Sequence, residues 1–415
     1  MCLHIRFTMQ EIAKLMNVAV VMVGLTLASS DPQGALMPAS VPLETDYPAS
    51  QLPRTRYPQW PQESWDGFST LTEPRLSPPT QTKTFPTGIK GDPVRGEKLV
   101  ADRSRGGSCF ACHIFPNAEL PGNIGPDLST IGDSDRSDAF LFDFVYDPRR
   151  HNPDSAMPPW GTHGIFDTHE ILDIVAYLRT LTKSTPFVSE EDDPATRPIP
   201  VQNIDNLDEF ENPGMSVLDD GEELYAQICA SCHQQPEAFK AWATTMPKFE
   251  PRLGKVLGVA EFITRHARAT TGAAYPMESG DNVALSVYLR FLANGESIHI
   301  DTSDPDTAAA LRRGQELVRR KIGQLNFACA DCHETNASRW IRGNYVPSFE
   351  RMVERHPLYR TSRGEIWDIR KRMQWCNVSI RANELPADSP EYGDIELYLT
   401  TRAMDRKLSV PGYGN

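Results

Sequence analysis

Three copies of the pentapeptide Cys-x-x-Cys-His constrain this chain more than any other feature. They lie at 109–113, 229–233 and 329–333, and they use six of the eight cysteines in the 415 residues. In c-type haem attachment the two thiols bind the porphyrin covalently and the histidine binds the iron. We therefore expect three covalently bound haem c groups, held by Cys109, Cys112 and His113, by Cys229, Cys232 and His233, and by Cys329, Cys332 and His333.

Two other uses of paired cysteines fit this pattern less well. A structural zinc site needs four ligands, usually from two Cys-x-x-Cys pairs close together. Each pair here stands alone in the sequence. A redox-active dithiol does not need the histidine that follows every pair. Haem attachment explains both the isolation of the pairs and the histidine.

The N-terminus has the layout of a secretory signal. Arg6 and Lys14 precede an apolar stretch at 18–28, and small residues follow this stretch. That stretch is shorter than the roughly 20 residues that span a bilayer, so we expect a cleaved signal peptide at 1–30 rather than an uncleaved anchor. Cleavage would remove Cys2 and release the chain into a bacterial periplasm without a stable membrane anchor.

Composition divides the rest of the chain. Residues 31–89 are rich in Pro, Ser and Thr and predict a disordered or loosely packed leader, and an acidic, Pro-rich linker is expected at 185–212. The three motifs fall in the remaining segments, 90–184, 213–297 and 298–415. We predict an all-α fold of three tandem c-type cytochrome domains with long irregular loops. The net charge of −13 argues against nucleic-acid binding.

Each motif lies inside the same repeated pattern. A short helix that contains a shared glycine comes before the motif, and a terminal helix that contains a Tyr-Leu pair comes after it. The terminal helices are predicted at 168–181, 282–293 and 390–403, with Asp167, Ser279 and Ser389 as their N-caps. The glycines are Gly96, Gly221 and Gly314, and the tyrosines, which we expect in the core, are Tyr177, Tyr288 and Tyr398.

Counting back from the Tyr-Leu pair gives one candidate sixth iron ligand in each segment. His266 in the second segment and Cys376 in the third stand at the same distance before their pairs. Met157 stands close to that distance in the first segment, in a loop that prolines stiffen. Met246 and Met277 are the alternatives to His266.

Cys376 is the one cysteine that neither a motif nor the signal accounts for. Arg370, Lys371 and Arg372 precede it. If 368–376 is helical, Arg372 lies one turn before Cys376 on the same face, where its charge favours the thiolate and attracts an anionic substrate. We expect Arg370 and Lys371 on a solvated face. The second segment has Phe262 in the place of Arg372, so it lacks both the thiol and the cation.

The third segment resembles the C-terminal domain of the SoxA cytochromes. The resemblance rests on the run 323–333 around the motif, on Cys376-Asn377 with Arg381-Ala382, and on 391–399. Residues 211–297 are similar to the N-terminal SoxA domain, and residues 90–183 are similar to SoxX through 123–126 and 157–161. The chain thus resembles a SoxX–SoxA fusion, whereas the two are usually separate subunits in this family.

The resemblance implies an activity, that of an L-cysteine S-thiosulfotransferase. Members of the family join thiosulfate oxidatively to a cysteine of the carrier protein SoxYZ, at a haem that a cysteine ligates, often as a persulfide, beside an arginine. Cys376 and Arg372 match those catalytic positions. Many relatives also have a cysteine ligand in their first SoxA domain. This chain has none there, which supports His266 instead.

Our hypothesis is that thiosulfate binds near Arg372 and Cys376. Two electrons would leave through the first haem, whose His113/Met157 ligation should give it the higher potential, to a soluble c-type cytochrome. The second haem would relay electrons or only stabilise the fold. The competing hypothesis is a triheme periplasmic electron carrier that serves a separate sulfur-compound dehydrogenase. A haem-based sensor would need an output domain, for which the sequence has no candidate.

Overall fold

The computed structural model describes residues 34–50, 57–74, 78–116, 118–184, 187, 189–200 and 210–414. The predicted signal peptide at 1–30 lies outside these residues. The described residues form eleven α-helices: α1 Pro93–Ala101, α2 Asp138–Tyr146, α3 Thr168–Leu178, α4 Met215–Leu224, α5 Phe239–Thr244, α6 Val259–Thr271, α7 Gly280–Phe291, α8 Pro305–Leu317, α9 Cys329–His333, α10 Ile369–Ser379 and α11 Pro390–Arg402. No helix among them is long and apolar enough to cross a membrane.

A pair of packed helices encloses each Cys-x-x-Cys-His motif in sequence. The pairs are α1 with α3, α4 with α7, and α8 with α11. The shared glycine of each first helix lies where the two helices meet. A Cβ added to Gly96, Gly221 or Gly314 would lie 2.0 to 2.2 Å from a carbonyl oxygen of the facing helix. Glycine therefore permits the close approach, and the three tyrosines pack beside it, with less than one tenth of each exposed.

Two terminal helices begin where predicted, at Thr168 and Pro390, whereas α7 begins two residues earlier than predicted, at Gly280, and all three end slightly earlier. Asp167 and Glu170 form a reciprocal capping box at the start of α3, and the Ser279 side chain accepts a hydrogen bond from the Asn282 amide. Ser389 makes no such bond, and Pro390 begins α11 instead. The helices end at Leu178, Phe291 and Arg402, because their last residues turn into 3₁₀-like geometry and loop.

Short strands correct the expectation of an all-α fold. The strands are β1 Lys248–Glu250, β2 Lys255–Leu257, β3 Trp340–Ile341, β4 Asn344–Tyr345, β5 Leu358–Arg360, β6 Glu365–Trp367 and β7 Gly412–Gly414. The first six form three antiparallel hairpins, and β7 joins β5 in parallel. None exceeds three residues, which is too short for an alternating apolar pattern to show in the sequence.

Two of these hairpins belong to a duplicated unit. The hairpin β1–β2 leads directly into α6, and the hairpin β5–β6 leads directly into α10. One numbering offset relates both units, so Gly254 corresponds to Gly364 and His266 to Cys376. Both glycines adopt a positive φ, of 63° and 69°, at the same place in the turn. The duplication confirms that His266 and Cys376 occupy equivalent positions.

The leader is packed where the structure describes it, which corrects the expectation of a disordered segment at 31–89. Residues 34–50 run along the second segment, where Leu36 pairs with Phe249 and Ala49 is fully buried. In residues 57–74, Trp60 is 2% exposed and packs against Trp367 and Trp375. A few large apolar side chains thus fix a stretch whose average composition is polar.

A buried ion-pair network corrects the expectation that Arg370 and Lys371 are solvated. Arg370 is 2% exposed, and it donates to Glu396 at 2.7 Å and to Glu261 at 2.9 Å. Burial alone would lower its pKa, but the two carboxylates raise it. Lys371 is 6% exposed and pairs with Glu365. The network joins α6, α10 and α11, so it ties the second segment to the third.

Candidate haem sites and the Cys376 centre

The first motif opens on an apolar cavity of about 440 Å³. Cys109, Cys112 and His113 line one part of it, and Met157 lines another. Most of the remaining lining is apolar, including Trp160. The structure thus brings Met157 and His113 to one cavity, as the sequence predicts for a pair of axial ligands.

A proline carbonyl orients His113. The Nδ1 atom lies 2.8 Å from the carbonyl oxygen of Pro126. A carbonyl only accepts, so Nδ1 carries the proton and Nε2 keeps its lone pair for a metal. Burial lowers the pKa of the ring, which also keeps it neutral. Gly125 permits the approach, because a Cβ there would lie 2.2 Å from His113 Cε1.

The second motif faces His266, the candidate ligand predicted from its distance to the Tyr-Leu pair. The ring centroids of His233 and His266 are 6.0 Å apart, with an angle of 51° between the planes. His266 Nδ1 donates to the Pro42 carbonyl at 2.9 Å, so its Nε2 is also free to bind a metal. Burial and then the neighbouring His266 lower the pKa of His233. Of the alternative ligands, Met277 packs in a separate apolar cluster with Ala49.

The third motif repeats the histidine arrangement of the first. His333 Nδ1 donates to the carbonyl of Pro347 at 2.8 Å. Burial lowers the pKa of the ring to about 4, and the charge of Arg372 acts in the same direction. Burial raises the pKa of the free Cys329 thiol to about 12, and the charge of Cys376 adds to this effect. Arg372 and Cys376 are therefore close enough to act on the motif electrostatically.

Arg372 and Cys376 meet on one face of α10. The Nη1 atom of Arg372 donates to Cys376 Sγ at 2.9 Å. Asp368 caps this helix through the Lys371 amide, which starts the turn that places the two side chains together. This is the geometry expected for residues one turn apart on a helix.

Two further arginines surround this centre, and the sequence reasoning missed both. Arg360 ends strand β5 and is 7% exposed. Arg363 is exposed, with its guanidinium carbon 4.1 Å from the centre of the Trp375 ring. Comparison of the duplicated hairpins could have found Arg360, because Glu250 stands at the corresponding position in the second segment.

The first and third motifs lie against each other. The Arg342 amide donates to the carbonyl of Ala111, inside the first motif, at 3.1 Å. The Trp340 amide donates to the Asn123 side chain at 2.8 Å. After burial, the largest effect that raises the pKa of the Cys332 thiol is the charge of Cys112. The loop 336–342 therefore connects the two attachment segments directly.

These residues fit covalent haem. Each motif offers two thiols beside a neutral histidine, and in the first and third motifs a backbone carbonyl holds Nδ1 so that Nε2 is available. The donor set of one histidine with Met, His or Cys opposite is typical of haem iron. Within the described residues, no cluster of three or more His, Cys, Asp or Glu side chains offers a separate metal site.

Comparisons with known proteins identify the type of domain. Residues 218–298 match the model of the SoxA/TsdA cytochrome c domain, and residues 91–178 match that of the cbb3-type cytochrome c oxidase subunit III. The L-cysteine S-thiosulfotransferase subunit SoxA of Pseudaminobacter salicylatoxidans is 28% identical over 213 residues, which cover 49% of this chain and 74% of that protein. The chain is thus similar to SoxA-type cytochromes over about half of its length.

Two further matches cover a similar share of the chain. The SoxA subunit of Paracoccus pantotrophus is 27% identical over 213 residues, 49% of this chain and 72% of that protein. The crystal structure of SoxXA from P. pantotrophus matches with a TM-score of 0.46 and 24% identity, over 50% of this chain and 80% of that chain. Residues 91–178 are a cytochrome c domain by their family match, and their resemblance to SoxX stays a prediction.

Proposed function

We propose that this protein is an L-cysteine S-thiosulfotransferase that joins thiosulfate to a cysteine of a SoxYZ-like carrier protein. It would work in the periplasm with three covalent haem groups and pass its electrons to a soluble c-type cytochrome. The SoxA subunits named above support this proposal, since they have that activity in their names. The segments 90–184, 213–297 and 298–415 would be one SoxX-like and two SoxA-like domains.

The observation that carries the proposal is the contact between Arg372 and Cys376. A guanidinium donates to the thiol sulfur at 2.9 Å, and Arg372 has no carboxylate within ion-pair distance in the described residues. An electron carrier needs only a ligand for its iron. It has no use for a cation beside that ligand. A cation is useful where a dianion such as thiosulfate must approach a thiolate.

The reaction balances with the groups proposed. A bond forms between the outer sulfur of thiosulfate and the carrier sulfur, and the S–H bond of the carrier breaks. One proton and two electrons are released. Arg372 would offset the repulsion between the Cys376 sulfur and the anionic substrate. Bound haem would supply the electron acceptor, which the side chains of the chain cannot provide.

Further contacts support an exit for electrons through the first segment. The loop 336–342 connects the third attachment segment with the first, and Met157 shares the first cavity with His113. Thioether ligation favours a higher potential than thiolate ligation, so transfer in this direction would be downhill. The second site, with its facing histidines, would relay electrons or only stabilise the fold.

Replacement of the thiol tests the proposal. We expect Cys376→Ala to lower the rate of conjugate formation by about a hundredfold or more, because the ligand and thiolate at the reacting centre are lost. The assay incubates the carrier with thiosulfate and oxidised cytochrome c and weighs the carrier by mass spectrometry. Haem content should stay at three per chain, and low-temperature electron paramagnetic resonance should lose a thiolate-ligated signal.

Ser379→Ala is the matched control, since Ser379 lies on the same helix and is exposed. It should conjugate at the wild-type rate. Undiminished conjugation by Cys376→Ala would refute the proposed mechanism. A wild-type protein that only exchanges electrons with cytochrome c and leaves the carrier mass unchanged would instead be an electron carrier.

A further inference from the structure

Arg360 is a buried cation without a partner among the described residues. It is 7% exposed, and its Nε atom is buried with no hydrogen-bond acceptor in the described part of the chain. The other deeply buried arginine of this region, Arg370, has two carboxylates at 2.7 and 2.9 Å. A buried charge is normally paired. Among the described residues, Arg360 therefore lacks the anionic partner that a buried arginine normally has.

Aromatic rings hold Arg360 in place. Its guanidinium carbon lies 5.5 Å from the centre of the Trp367 ring. Trp367 contacts Trp375, with ring centres 6.3 Å apart, and Trp375 directly precedes Cys376. A ring face favours a cation without neutralising it. The stacking keeps the guanidinium ordered and leaves its donors available for an anion.

Arg360 lies close enough to Arg372 and Cys376 for their charges to act on it. Burial, and next the charge of Arg372, lower the pKa of Arg360 to about 9, while the charge of Cys376 opposes them. Two guanidiniums that repel each other beside one thiol form a site that an anion would stabilise.

In the duplicated unit, the position of Arg360 holds an arginine only in the copy that has the cysteine. The second segment has Glu250, Phe262 and His266 where the third has Arg360, Arg372 and Cys376. Glu250 is neutralised by Arg252 at 2.7 Å. The hairpin and helix are otherwise built alike, with glycine at the same turn. Both arginines thus occur in the copy that has the cysteine, and neither occurs in the copy that has the histidine.

We propose that Arg360 is a second substrate-binding residue, which holds the sulfonate oxygens of thiosulfate while Arg372 holds the Cys376 sulfur. Arg372 already donates to Sγ at 2.9 Å. Arg360 offers the planar fork of donors that suits two oxygens of one sulfonate. With the sulfonate held there, the outer sulfur points to the thiolate. This inference rests on the proposed function, and it assigns the part of the substrate that each arginine binds.

The test compares Arg360→Gln, Arg360→Lys and the control Arg312→Gln in the conjugation assay with the holoprotein. Loss of one charge-assisted contact to substrate predicts a KM for thiosulfate about ten- to a hundredfold higher in Arg360→Gln, with kcat changed much less. Arg360→Lys should recover part of the loss, because it restores the charge without the fork. Arg312 is exposed on α8, so its replacement should leave KM within about twofold.

Two further readouts separate substrate binding from damage to the fold. The thiolate-ligated signal in electron paramagnetic resonance should persist in both Arg360 variants, and calorimetric titration with thiosulfate, without the carrier, should show weaker binding to Arg360→Gln. An unchanged KM for Arg360→Gln, or loss of the signal in both variants, would overturn the inference. Failure of the wild type to conjugate would refute the proposed function instead, whatever the Arg360 variants bind.

Discussion

His266 and Cys376 lie at the same turn of two equivalent helices, α6 and α10. A histidine there faces His233 across 6.0 Å, whereas a cysteine there receives a hydrogen bond from Arg372. One residue difference would therefore give the second haem two nitrogen ligands and the third a sulfur ligand. The potential and the reactivity of a haem follow from such ligands. Under the proposed function, this position would therefore separate a redox site from a reactive one.

Replacement of His266 tests the assignment at the second site. We expect His266→Ala to convert one of three low-spin ferric haems to high spin, since an alanine leaves the sixth position without a protein ligand. Absorption and electron paramagnetic resonance spectra of the oxidised protein measure the change, and the thiolate signal of the third haem should be unaltered. If all three haems stay low spin, then Met246 is the better candidate for the sixth ligand, since it is buried in the apolar cluster against which Cys229 packs.

At the scale of elements, the helix α10 combines the reactive face with a structural one. Arg372 and Cys376 lie on one side, while Arg370 on another side reaches the buried carboxylates of α6 and α11. Sequence alone predicted the helix and the Arg372–Cys376 pair, because both depend on local spacing. It could not predict the burial of Arg370, because that depends on two acidic residues far away in the chain.

The buried carboxylate of Glu261 should be important for stability. It is fully buried and accepts from Lys255 at 2.6 Å, Arg265 at 2.9 Å and Arg370 at 2.9 Å. We expect Glu261→Gln to lower the free energy of unfolding by about 3 to 5 kcal/mol, because three buried cations lose their shared counter-charge. Thermal unfolding followed by circular dichroism measures the effect.

An exposed ion pair provides the control for this variant. Glu296 pairs with Lys240 at 2.6 Å, and about half of each side chain is exposed. Glu296→Gln should unfold at the wild-type temperature, since exposed pairs contribute little. Equal unfolding temperatures for Glu261→Gln and the wild type would show that the buried network does not stabilise the contact between the second and third segments.

At the scale of the whole molecule, segments distant in sequence complete the sites. The carbonyl of Pro42, in the leader, holds His266 Nδ1 at 2.9 Å. Trp60, also in the leader, covers Trp367 and Trp375. The loop 336–342 joins the first and third motifs. The motifs and their register can be predicted from the sequence because they repeat. These contacts cannot, because single residues within a polar stretch make them.

This assembly places the third motif next to the first, where Asn336 also lines the first cavity, rather than in a self-contained domain. The leader residues 57–74, the hairpin β5–β6 and the loop 336–342 all lie in or against the third segment. This segment also shares apolar core residues, such as Phe249 and Val256, with the second segment. The molecule is thus organised around its third motif. We propose that this motif supports oxidative conjugation to a carrier and not electron transfer alone.

The stoichiometry of that reaction is the most direct test. Holoprotein, carrier and thiosulfate are mixed with oxidised cytochrome c, and both the reduced cytochrome and the carrier that gains a thiosulfonate are measured in each sample. Two cytochromes reduced for every carrier modified, with no reduction when the carrier is omitted, is the result expected. Reduction by thiosulfate that proceeds equally well without the carrier would contradict the account.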